Sequence, residues 1–190
     1  MKQPDLTETE VASEIVFQGM LLRVKRDTVS LHDGTPATRE YIEHGGAVMV
    51  IPVLDSGELV MERQYRYALR RHCLELPAGK IDPGEEPLAT GRRELLEETG
   101  YVAREWTYLA TIHPTVAYST ERILVYLARG LEHEGGKLDD GEHLEVLTLP
   151  LPALLELVRS GEITDMKTVI GLLWMEKLRR GEWQPGPVLS

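Results

Sequence analysis

A chain of 190 residues is long enough for one substantial core with a small additional element. Its net charge of −10 and pI near 5.1 exclude the broad basic face that general nucleic-acid binding requires. The single cysteine, Cys73, excludes an internal disulfide and reads as a small buried hydrophobe. The opening Met1-Lys2-Gln3-Pro4-Asp5 lacks a signal-peptide pattern, and the longest apolar run is far too short to span a bilayer, so a cytoplasmic protein is expected.

Residues 1–14 are polar and acidic and are expected to be loosely ordered. Met20–Leu31 and Thr38–His44 read as strands joined through the turn signal His32-Asp33-Gly34-Thr35-Pro36. After the break at Gly45-Gly46, the continuous apolar run Ala47–Leu54 reads as a buried strand. Asp55-Ser56-Gly57 turns the chain into a second strand, Glu58–Arg66. Further on, Trp106–His113, Arg122–Ala128 and Glu145–Leu149 read as strands, with 130–142 an acidic loop. Leu151–Ser160 and Thr164–Arg180 carry helical patterning, closed by Gly161 and Gly181. The expected architecture is a mixed α/β domain with a helix-covered sheet.

The most informative stretch is residues 79–101. Pro83-Gly84 signals a turn, and Pro87 suits a first helical turn, where its missing N–H costs little. Good helix formers follow as far as Thr99, and Gly100 is placed to stop the helix. Leu88, Leu95 and Leu96, with Ala89 and Thr99, are expected on its buried side, and Gly91 at a close helix–sheet contact. Glu94, Glu97 and Glu98 share one side of about one turn. At a few ångströms each such pair repels by roughly 2–4 kcal/mol at an effective dielectric near 20. Alone, the trio would pass for a solvated acidic face. The spacing makes sense if a hard cation sits there, because such ions take oxygen ligands. Arg93 is spaced to reach Glu97.

Gly79, Glu85, Arg93, Glu94, Glu97, Glu98 and Gly100 stand at G-x5-E-x7-R-E-x-x-E-E-x-G. By chance this pattern would appear in such a chain on the order of once in a million. In it the chain resembles the Nudix hydrolases, departing where Tyr101 replaces an aliphatic residue and where Gly91 stands mid-helix. The resemblance implies an α/β/α sandwich with a mixed sheet, plus a small N-terminal β-rich subdomain. The corresponding boundaries are 1–45 for that subdomain with a flexible start, 46–182 for the hydrolase domain and 183–190 for a tail. It implies that Glu94, Glu98 and Glu97 hold two or more Mg²⁺ ions, with Mn²⁺ able to substitute, and that the Ala78 carbonyl is a further ligand. It also implies that Arg93 braces Glu85.

Several segments are similar to the ADP-ribose pyrophosphatase branch of that family: Glu62-Arg63-Gln64-Tyr65-Arg66 with Glu75-Leu76-Pro77-Ala78-Gly79, the loop His113–Arg122, the acidic run Asp139–Val146, and Gly161–Thr168. In the loop, Val116-Ala117 replaces the branch's usual glycine. This likeness implies hydrolysis of ADP-ribose or a related ADP-sugar to AMP and a sugar phosphate. It implies a general base in the late loop, read as Glu142 with Asp140 and Glu145 as competitors, and a water-orienting role for Glu121. It further implies a homodimer built through the N-terminal subdomain, for which residues 15–44 are apolar enough. Arg66 is the arginine expected on a phosphate, because its planar fork matches phosphate oxygens. Phe17, Tyr65 and Tyr118 read either as core or as base-stacking groups. The alternatives are another diphosphate (GDP-mannose, NADH or a dinucleoside polyphosphate) and a catalytically silent nucleotide sensor. Neither membrane nor nucleic acid is an expected partner.

Overall fold

The computed structural model describes residues 5–136 and 143–189. The chain divides into two compact units, one formed by residues 1–45 with 113–122 and the other by 46–112 with 123–190.

The first unit is an antiparallel sheet, in the order β1 (Thr9–Gln18), β2 (Arg23–Ser30), β3 (Pro36–Glu43). Gly34, at φ 84°, closes the β2–β3 hairpin, where Gly34 N–H donates to the Leu31 carbonyl at 2.9 Å. The expectation of a loose N-terminus is corrected here: residues 9–14 belong to β1. Two of the acids that suggested disorder are partnered, since Arg39 Nε donates to Glu8 at 2.8 Å and Arg26, which also bonds Glu40, reaches Glu14. The strand expected from Met20 begins at Arg23 instead, because Gly19 N–H bonds the Leu22 carbonyl and turns the intervening residues. The segment 113–122 joins β3 by a parallel bridge between Ile42 and Ser119.

The second unit is built on a mixed five-stranded sheet, in the order β11 (Val188–Leu189), β8 (Tyr101–Ile112), β9 (Ile123–His133), β4 (Ala47–Pro52), β7 (Ala78–Lys80). β4 runs parallel to β9, and the other pairs are antiparallel. A three-stranded antiparallel sheet has β5 (Glu58–Arg66) between β10 (Leu144–Pro150) and β6 (Arg71–Glu75). All six residues of β4 are buried, which explains its unbroken apolar sequence. Val48 and Val50 pack with Leu95 of α1 (Pro87–Thr99) and with Trp106 and Tyr126. Met49 and Ile51 join a larger core with Met61, Leu76, Leu154 of α2 (Leu151–Ser160), and Leu172 and Met175 of α3 (Met166–Arg179). The result is a mixed α/β fold with helical cover on both faces of the sheet.

α1 starts at Pro87 and ends at Gly100, whose φ of 75° and N–H bond to the Leu96 carbonyl cap the helix. Its buried side differs from the expectation: Thr90, Gly91, Leu95, Glu98 and Thr99 face inward, while Ala89 is exposed. Gly91 does mark close helix–sheet contact, because a Cβ there would lie 3.2 Å from Val48 Cγ1 and 3.3 Å from Trp106 Cζ3. The acidic loop expected from 130 begins later than read, since β9 continues to His133, pairing Ala103 with Leu131 and Tyr101 with His133. Residues 188–189 return to the sheet as β11, opposite Thr107 and Trp106.

Candidate active site

Three local choices of sequence assemble the site in the second unit. The turn at Asp82–Glu85, closed by Glu85 N–H on the Asp82 carbonyl at 2.9 Å, brings Glu85 back over α1. The helix carries Arg93, Glu94, Glu97 and Glu98 at one level, and β7 supplies Ala78 and Gly79 beneath them. Gly79 leaves room for the Glu94 carboxylate: a Cβ on it would fall 1.8 Å from Glu94 Oε1 and displace that group.

Arg93 is the hub. Its Nε donates to Glu85 Oε1 and its Nη2 to Glu85 Oε2, both at 3.0 Å, and its Nη1 reaches Glu94 Oε1 at 2.8 Å and Glu97 Oε2 at 3.0 Å. Thr90 Oγ1 donates to Glu85 Oε2 at 2.7 Å. The Arg93 bonds hold the Glu85 carboxyl down at about 2, and Arg93 is correspondingly raised.

Glu98 faces a different environment. It is buried, and its Oε2 accepts the Ala78 N–H at 3.1 Å. Burial first, then the nearby Glu62 and Glu94 charges, push its carboxyl far above the ordinary range. Glu62, on β5, stands against it with no solvent exposure and is raised chiefly by burial. Glu62 Oε1 accepts from Gln64 Nε2 at 2.8 Å, whereas Oε2 has no hydrogen-bond partner.

A divalent cation fits this donor set. Every candidate ligand is an oxygen, the carboxylates crowd one another, and a buried carboxylate oxygen is left bare beside them. In the arrangement observed, no group of three or more acidic, histidine or cysteine side chains among the described residues closes on one point. Arg93 holds Glu94 and Glu97 to one side, and Glu98 turns toward Glu62.

Arg66 lays both arms of its fork on Glu75, Nε to Oε1 at 2.7 Å and Nη2 to Oε2 at 2.8 Å. Lys167 bonds Glu75 from the other side and Asp165 Oδ2 at 2.9 Å. Burial pushes Glu75 up, but Arg66 and Lys167 outweigh it and bring it down to about 2. Arg66, Glu75 and Lys167 line a cavity of ≈ 300 Å³ together with Leu69, Cys73 and Asp165. Cys73 is buried, as its composition-based reading has it.

Glu121 belongs to the first unit, where its N–H bonds Ser119 Oγ at 3.1 Å. Glu145 is engaged by Arg63 at 2.6 Å. Glu142 and Asp140 lie outside the described residues. Phe17, Tyr65 and Tyr118 are all exposed, so none is a core residue of this chain. The sequence reading missed Glu62, Glu75, Asp165 and Lys167 as parts of this polar cluster. Asp165 left a usable signal: it caps α3 by accepting from Thr168 N at 3.0 Å, the familiar acid three residues before a helix-turn donor.

A turn, a helix of carboxylates and a braced arginine over a glycine strand form the arrangement that the resemblance to the Nudix hydrolases implies. The NUDIX domain family model matches residues 43–166, and the chain belongs to that family of pyrophosphatase-type hydrolases, whose divalent-metal dependence applies to it. The chain is 37% identical over 173 residues to the ADP-ribose pyrophosphatase of Bacillus subtilis (strain 168), covering 90% of this chain and 94% of the relative. It is 34% identical to the methanol dehydrogenase activator of Bacillus methanolicus, over 89% of this chain and 92% of the relative. A solved structure described as an ADP compounds hydrolase superposes with a TM-score of 0.85 at 24% identity, over 95% of this chain and 98% of that one, which establishes the shared fold.

Proposed function

We propose that this Nudix hydrolase cleaves the diphosphate of ADP-ribose, or of a closely related ADP-sugar, to AMP and a sugar phosphate, using Mg²⁺ with Mn²⁺ as a substitute. The observation that carries the reading is the braced carboxylate cluster of Glu85, Arg93, Glu94 and Glu97 over Gly79. The 37% identity to an ADP-ribose pyrophosphatase supports the choice of substrate.

Glu94, Glu97, Glu98 and the Ala78 carbonyl are the proposed metal ligands. When bound, the cation supplies charge neutralisation of the diphosphate and a lowered pKa for the attacking water. Arg93 acts on the ligands rather than the substrate, holding Glu94 and Glu97 in register while Glu85 absorbs the rest of its charge. Glu142 accepts a proton from water as the water oxygen bonds one phosphorus and the P–O–P bridge breaks, so that one phosphate stays on the sugar and the other on the adenosine as AMP. Arg66 contacts a phosphate, and Glu121 orients a water. In this reading residues 1–45 form a dimerisation subdomain, 46–182 the hydrolase domain and 183–190 a tail. The exposed Val11, Phe17 and Leu21 support a homodimer formed through that subdomain. No helix among the described residues is long and apolar enough to cross a membrane. The proposed setting is cytoplasmic.

The test is hydrolysis of ADP-ribose, other ADP-sugars, GDP-mannose, NADH and dinucleoside polyphosphates with Mg²⁺ or Mn²⁺, products separated by chromatography. Preferential release of AMP from ADP-ribose is expected. Preference for another member moves the substrate and keeps the chemistry. No turnover by folded, metal-binding protein would return the silent-sensor alternative.

A further inference from the structure

Glu62 lies outside the signature, yet it is a fully buried carboxylate with an oxygen that no N–H or O–H donor reaches. It sits on the central strand of the three-stranded sheet with no solvent exposure. Burying a carboxylate costs several kcal/mol unless a partner compensates. Its Oε1 has one neutral donor, Gln64, its Oε2 has none, and a hydrogen bond to the facing Glu98 carboxyl needs a proton shared between the two. Lys167, the cation that most offsets its charge, places its Nζ on Glu75 and Asp165. The group that Glu62 faces directly is a second buried carboxyl, Glu98.

Two carboxyls buried together, one with a bare oxygen, call for positive charge between them. A hard divalent cation meets that need, because carboxylate oxygens are its natural ligands. Glu98 enters from α1 and Glu62 from β5, so the two approach from different elements. We propose that Glu62 is a further metal-holding carboxylate of this site, paired with Glu98 across the helix–strand boundary. The inference rests on the reading of the signature carboxylates as the cation site. A purely structural role, in which the pair shares one proton and holds no cation, is the competing outcome.

The experiment measures Mn²⁺ binding to substrate-free protein by calorimetry and by the electron paramagnetic resonance of bound Mn²⁺. Wild type is compared with E62Q, E62L, E94Q and E98Q, and the melting temperature of each is recorded without metal. E62Q keeps the size and the Gln64 contact, and is expected to weaken Mn²⁺ binding by about 10-fold or more. E62L is expected to lose at least as much affinity while melting, metal-free, at or above the wild-type temperature, since it removes a buried charge. Mn²⁺ affinity unchanged in both Glu62 variants and lost in E94Q and E98Q overturns the assignment of Glu62 alone, whatever the metal-free melting point. Wild-type Mn²⁺ affinity in all four variants overturns the cation site itself.

Discussion

Arg93 shows how a single side chain organises the site. It touches three carboxylates at once, so its removal should scatter all of them. The folded Glu85 carboxyl titrates at about 2, below its ordinary 4.5, so its bond to Arg93 contributes stability that is complete above about pH 4.5 and is lost as pH falls toward 2. R93M should therefore be less stable than wild type at neutral pH, by about 1 kcal/mol given how much solvent reaches the pair. Urea denaturation should show the two proteins converging between pH 4.5 and 2, and a gap that is constant across that window would contradict the account. The buried Glu75–Lys167 pair sets a larger stake: K167M leaves Glu75 with less than its full complement of cations and should cost about 3–5 kcal/mol at pH 7, read from the same denaturation curves. At this scale the sequence was highly legible where spacing encodes contact. The interval of Arg93 to Glu97 and the glycine at 79 both correspond to contacts in the structure. Glu62, Glu75 and Lys167 were not legible, because they meet through tertiary packing of β5, β6 and α3, and no local spacing records that.

At the scale of the element, α1 is placed by what it lacks. Gly91 lets the helix backbone settle on Val48, Val50 and Trp106, where even a Cβ is tight. G91V should cost about 1–3 kcal/mol by overpacking. It should also lower turnover by tilting the carboxylates off β7; chemical denaturation and steady-state kinetics on the same preparation would check both. A G91V protein as stable as wild type would mean that the helix is free to shift. Helix ends were readable because Pro87, Gly100 and Gly161 act locally. Strand limits were less so. β1 looked like an acidic tail, yet Glu14 within it and Glu8 just before it are compensated by Arg26 and Arg39 on other strands. The end of β9 looked like loop because Gly130 and Glu132 obscure a strand that its pairing with β8 reveals.

At the scale of the whole molecule, the acidic balance of −10 sits uneasily with an anionic substrate unless cations intervene, which is what the carboxylate cluster is suited to recruit. Apolar residues of the first unit remain on the surface, with Phe17 54% exposed and Val11 66%. Light scattering at micromolar concentration should report a dimer, and V11E/F17E should shift it to monomer; a wild-type monomer would remove the subdomain from that role. The central claim is cation-dependent diphosphate hydrolysis by the helix carboxylates. The most direct measurement is Mg²⁺-dependent release of AMP from ADP-ribose by wild type and by E94Q, each confirmed folded by circular dichroism. The account predicts turnover that chelation abolishes in wild type and that falls by about 100-fold or more in E94Q. Near-normal turnover in folded E94Q would contradict it.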